Sequence, residues 1–144
     1  MNINNFLSKS EKEKILKTIR DAERQTSGEI RVHLDKKCDD NLVDRTVYIF
    51  NKLKMHETRL RNGTLIYLAL KNKKFAVYGD KGINEVVPEN FWEDVKEEMR
   101  RHFVNNDLTK GIVVGISRIG EKLKEFFPYE YDDINELPDD ISTG

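Results

Sequence analysis

Apolar residues recur along this chain with two different periods, and the switches between them mark its elements. Ile15, Ile19 and Ala22, with Leu16 beside them, stand at helical spacing, which predicts a helix over about residues 10–25. Ser8 with Glu11, and Ser10 with Glu13, have capping-box spacing at its start, and Thr26-Ser27-Gly28 is a stop signal. The period then drops to two. Ile30, Val32 and Leu34 alternate with Glu29, Arg31, His33 and Asp35, which predicts a strand with one apolar and one polar face. Such a strand is expected at a sheet edge or only partly covered, with the polar stripe toward solvent. Helical spacing returns in Leu42, Val43, Val47, Phe50 and Leu53, with Asp39, Asp40 and Asn41 as candidate N-caps.

Residues Thr64 to Leu70 are apolar on both faces, as a central strand requires. A polar Lys71-Asn72-Lys73 turn leads into a third strand around Phe75–Tyr78, and so short a turn makes an antiparallel hairpin. The long helical connection makes the first and second strands parallel. A glycine turn, Gly79-Asp80-Lys81-Gly82, ends the third strand. A helix after Pro88 carries Phe91, Trp92, Val95, Met99 and Phe103. Asp107 caps a further helix with the stripe Ile112, Ile116, Ile119, Leu123 and Phe126, which Pro128 stops.

Composition narrows the function more than the fold. A length of 144 residues suits one domain with its own core, and a net charge of −1 gives no global field toward nucleic acid, so no nucleic-acid partner is expected. The single cysteine, Cys38, cannot close an internal disulfide. The first residues have neither a basic n-region nor an apolar h-region, and no apolar run approaches a membrane span, so a cytoplasmic protein without a transmembrane segment is expected. Charge is unevenly spread. Residues 52–74 hold seven Lys or Arg against Glu57, and residues 130–140 hold six acids and no base. The expected organisation is a domain over residues 1–127 and an acidic tail, residues 128–144. Its part from Tyr129 to about Pro138 is expected to pack back on the domain, with Ile134, Leu137 and Ile141 together supplying the apolar burial, while the last few residues fray.

Three motifs in order resemble the TPM domain family: Ser27-Gly28-Glu29-Ile30-Arg31-Val32, then Arg61-Asn62-Gly63-Thr64-Leu65-Ile66-Tyr67-Leu68, then the run from Phe75 through Gly79-Asp80-Lys81-Gly82 to Ile83. The resemblance spans about residues 8–127 and implies a three-layer α/β/α sandwich around a small mixed sheet. It also implies two functional directions, since some family members are linked to calcium binding and a plant relative to acid phosphatase activity.

Candidate chemistry falls in a few places. The starts of strands one and two and the end of strand three should converge, bringing Glu29, Asn62 and Asp80 together with Glu85 close behind. These are oxygen ligands of the kind a hard cation such as Ca²⁺ takes, and also ordinary turn residues. Asp35, Asp39, Asp40 and Asp44 form a second candidate cation cluster, part of which is helix capping, and the acidic tail is a third location. Arg31 and His33, with Tyr67 or Tyr78 nearby, would suit an anion such as phosphate. No Walker motif, nucleophile elbow or zinc signature is present, so the catalytic residues of any phosphatase are unassigned. The favoured expectation is a calcium-binding or interaction module with an unknown protein partner. The alternatives are a weak acid phosphatase and an ion-independent scaffold.

Overall fold

The computed structural model describes residues 6–129 and 141–144. Helix α1 spans Lys9–Glu23, and the Ser8–Glu11 capping box is formed in both directions. Strand β1 is Glu29–Asp35. Helix α2, Leu42–Lys52, takes Asn41 rather than either aspartate as its N-cap, because the Asn41 side chain accepts the Asp44 amide. Strands β2, Gly63–Ala69, and β3, Lys74–Gly79, follow a 3-10 turn at Met55–Glu57. Helices α3, Lys81–Asn84, α4, Phe91–Val104, and α5, Leu108–Phe126, complete the helical set, and β4 is Ile141–Thr143.

The sheet order is β3-β2-β1-β4. β1 and β2 run parallel, with Glu29 opposite Gly63 and Asp35 opposite Ala69, and β2 and β3 form the antiparallel hairpin. The alternation read from the sequence sorts the side chains onto two faces. Ile30, Val32, Leu34, Ile66 and Leu68 join the main core with Ile15 and Ile19 of α1, Val95 and Met99 of α4, and Ile112 and Ile116 of α5. Leu65, Tyr67 and Ala69 point the other way and pack with Ile49 and Phe50 of α2. The result is the three-layer α/β/α sandwich with a mixed sheet, having three long helices on one face and α2 on the other.

Four expectations need correction. The polar stripe of β1 does not face solvent: Glu29, His33 and Asp35 are all buried, and Arg31 is partly exposed. β1 lies between β2 and β4, so neither edge nor face is open, and the polar groups find partners instead of water. Val43 is exposed at the start of α2, where Thr46, Ile49 and Phe50 make the buried stripe. The glycine turn contains a short helix, α3, with Asp80 as N-cap. The last residues do not fray, since Ile141, Ser142 and Thr143 pair in parallel with Val32, His33 and Leu34. Ile141 packs against the main core, so apolar burial and strand pairing act together to hold it. The expected docking of Ile134 and Leu137 lies outside the described residues.

Candidate functional site

β1 is the point where the sheet changes direction of growth. The α2 crossover carries the chain to β2 on one side, and β4 lies on the other. In open α/β sheets the crevice outside the carboxyl end of such a strand is where ligands bind. That end holds the densest polar network among the described residues.

Asp35, the last residue of β1, is its centre. One oxygen accepts from Arg45 Nε at 2.9 Å and from the Tyr67 hydroxyl at 2.6 Å. The other lies 2.8 Å from His33 Nε2 and 3.3 Å from Arg45 Nη2. A carboxylate only accepts, so Nε2 carries the hydrogen and Nδ1 is left facing Ser142 Oγ at 2.8 Å. Local structure explains the assembly. His33 and Asp35 share a face because they are two apart on a strand, Tyr67 stands opposite His33 in register, and their rings stack at 5.9 Å. Arg45 reaches in from the first turns of α2.

Electrostatics follow from this geometry. Burial alone would raise the Asp35 carboxyl, but hydrogen bonds from Arg45, Tyr67 and His33 outweigh it and hold the group below the ordinary carboxylate range. Burial drives His33 below the usual imidazole value, against the opposing pull of Asp35. The Tyr67 phenol is pushed up, first by burial and then by its bond to Asp35. The site is therefore an ionised Asp35–Arg45 pair with a neutral histidine beside it.

Above this network opens a cleft of about 370 Å³, lined by Asp35, Arg45, Gly144 and the loop residues Lys36, Lys37, Cys38, Asp39 and Asp40. Gly144 lies so close that a Cβ there would sit 2.8 Å from Asp35 Oδ1. Asp39 pairs with Lys37 at 3.1 Å in the exposed loop. The Asp40 carboxylate is exposed and its carbonyl accepts the buried Cys38 thiol at 3.4 Å.

The amino end of the sheet gathers three of the other candidates. Glu29 donates its amide to the Asn62 carbonyl at 3.3 Å, and Asp80 donates its amide to the Gly63 carbonyl at 3.0 Å. Glu85 is exposed at the C-cap of α3. The Asp80 carboxylate already has a bidentate partner, with Arg61 Nε at 2.6 Å and Nη2 at 2.8 Å. Arg61 adopts a left-handed backbone, with φ of 51°. Gly82 donates its amide to the Arg61 carbonyl at 2.9 Å, and a Cβ on Gly82 would run into the carbonyls of Leu60 and Arg61. That close approach is why glycine occupies the turn. Among the described residues, no group of three or more His, Cys, Asp or Glu is arranged to hold a metal ion. No described helix is long and apolar enough to cross a membrane.

His33 and Asp35 stand out in the sequence, whereas Arg45, Ser142 and the pairing role of Arg61 emerge only from the structure. A usable signal existed for Arg45. A buried carboxylate needs a cation within reach, and Arg45 is the basic residue in the first turns of the following helix.

The fold and these motifs define a class, and comparison with known proteins places the chain in it. The TPM domain family model matches residues 2–122, and the chain belongs to that family. Its structure is similar to the solution structure of BA42 from the psychrophilic bacterium Bizionia argentinensis, with 45% identity, 99% of each chain covered and a TM-score of 0.92. The N-terminal domain of a P. gingivalis protein shares the fold at 20% identity, covering 90% of this chain and 85% of that one with a TM-score of 0.72. So does the N-terminal domain of the cg2496 protein of Corynebacterium glutamicum, at 13% identity, 81% and 74% coverage and a TM-score of 0.64. No curated protein sequence matches the chain.

Proposed function

We propose that this TPM domain is a calcium-responsive binding module whose cation sits at the cleft outside the carboxyl end of β1. The observation that carries the reading is the pair Asp39 and Asp40, exposed carboxylates on the lining of an open cleft at the switch point of the sheet. Ca²⁺ takes carboxylates, backbone carbonyls and water together, and an exposed loop supplies both carboxylates and carbonyls. With two carboxylates it would keep much of its water and bind weakly, in the range of about 10⁻⁴–10⁻³ M typical of sites with few charged ligands. Asp35 is unsuited to direct ligation because Arg45, Tyr67 and His33 occupy its oxygens. Cation binding would draw Asp39 from Lys37 and reshape the loop that a protein partner would read.

The set Glu29, Asn62, Asp80 and Glu85 is the competing location, where a cation has to displace the Arg61 guanidinium from Asp80. Calorimetric and amide-shift titrations with Ca²⁺ and Mg²⁺ test both. Saturable binding lost in Asp39→Asn/Asp40→Asn supports the β1 cleft, whereas loss in Asp80→Asn moves the site. No heat and no melting shift at millimolar Ca²⁺ refutes the function.

A second reading, a phosphomonoesterase, draws on the line Ser142 Oγ–His33–Asp35, with 2.8 Å at each step. Here Ser142 Oγ would attack phosphorus, its proton passing to His33 Nδ1 and from there to the leaving alkoxide or aryloxide oxygen. Water would then cleave the phosphoserine, with His33, neutral again, taking a proton from the water and giving it to the departing serine oxygen. A neutral His33 is the form this requires. Turnover of an aryl phosphate that disappears in Ser142→Ala and in His33→Gln supports it, and turnover unchanged in both rules it out.

A further inference from the structure

A second cavity, also of about 370 Å³, lies on the other side of the sheet, outside the end of β2. Its walls include Phe6, Leu68, Phe75, Phe103 and Leu108. Phe75 and Phe103 meet edge to face at 4.9 Å, so two of the aromatic walls brace each other. The polar part of the lining is Lys73, Lys74 and Asn106, with no acidic side chain. Both lysines are exposed, and neither has an ion-pair partner among the described residues. Among the described residues, four non-glycine positions have a left-handed backbone, and two of them, Lys73 with φ of 53° and Asn106 with φ of 60°, flank this opening. Lys73 closes the β2–β3 turn and Asn106 follows the end of α4, so both are turn positions that fix the rim of the opening.

From this arrangement we propose that the cavity binds a small amphipathic carboxylate, its aliphatic or aryl body among the phenylalanines and its head between Lys73 and Lys74. The volume falls within the range of small-molecule pockets, and the pattern of mostly apolar walls with a few polar groups is theirs as well. A neutral apolar ligand would leave the lysines unused. An amine would meet two like charges and no acid. Two ammonium groups and an amide act as point donors that a carboxylate head can accept from.

The test is an amide-shift titration of the full chain with sodium octanoate below its micelle concentration, run beside octylammonium, acetate and anionic phospholipid vesicles. Octanoate is expected to move the amides of Leu70, Lys73, Lys74, Phe103, Asn106 and Leu108 saturably, while octylammonium and acetate leave them in place. Lys73→Glu/Lys74→Glu is expected to weaken octanoate binding at least tenfold with the melting temperature held, since both side chains are exposed. Leu108→Trp, which fills the cavity, provides a second variant and should abolish binding with the lysines intact. Equal binding of octylammonium, an unchanged affinity in the double variant, or shifts scattered away from the cavity would overturn the proposal. Binding to vesicles in place of octanoate would overturn it too, assigning the face to a membrane surface.

Discussion

Replacing Asp35 by asparagine should be the most destabilising isosteric change in the chain. Asp35 is 2% exposed, and its carboxylate accepts from three side chains. An asparagine keeps the volume but loses the charge, and its amide nitrogen turns a donor toward donors that have nowhere else to go. A charge-assisted hydrogen bond contributes about 1.5–3 kcal/mol, and breaking a buried ion pair by removing one partner costs about 3–5 kcal/mol. Arg45 retains 27% of its side-chain exposure, so water recovers part of its loss and a value near the lower bound, about 3 kcal/mol, applies. At roughly 3–5 °C per kcal/mol for a domain of this size, the melting temperature should fall by about 9–15 °C. Tyr67→Phe removes one of the donors and should cost only about 1 kcal/mol. Calorimetric melting at pH 7 measures both. If Asp35→Asn melts within about 2 °C of the unmodified chain, the network does not hold the strand end together. Asp35→Leu/Arg45→Met gives a control, because removing both charges should recover much of the loss.

Stability should fall as pH drops below about 6.5, the ordinary imidazole value. His33 is held below that value, so the unfolded chain binds the extra proton first; the stabilisation is complete above about 6.5 and is lost as pH falls through the lowered folded value. Melting curves from pH 8 to 5 should show this slope, and His33→Gln should flatten it; a wild-type slope in the variant would assign the loss to other groups. Deleting residues 141–144 should lower the melting temperature by several degrees, because Ile141 leaves the core and β1 loses one of its two parallel neighbours. An unchanged melting temperature would mean that β4 adds nothing to the domain.

What could be read from the sequence was set by how local its signals are. Capping boxes, the change of period at Ile30 and the short Lys71–Lys73 turn act within a few residues, and they yielded α1, β1 and the hairpin with their directions. The Ser8 box and the Asp107 cap are both formed as the spacing requires. β4 had no such signal. Three residues are too few for a period, and their place beside Val32 depends on a contact 109 residues away in the chain, Ser142 to His33. Missing β4 caused the larger error at the site. With one neighbour fewer, β1 reads as an edge, and Glu29, Arg31, His33 and Asp35 then read as a solvated face. The same four residues look different once the strand is central. Leaving Asp35 unpaired in the sheet would cost several kcal/mol, so a buried aspartate there demands partners. Arg45, Tyr67 and His33 meet that demand from one helix and two strands. Polar alternation on a strand therefore has two meanings, solvent or a satisfied network, and only long-range pairing separates them. Here a cation ten residues downstream and a tyrosine on an otherwise apolar strand were the local hints that favoured the network.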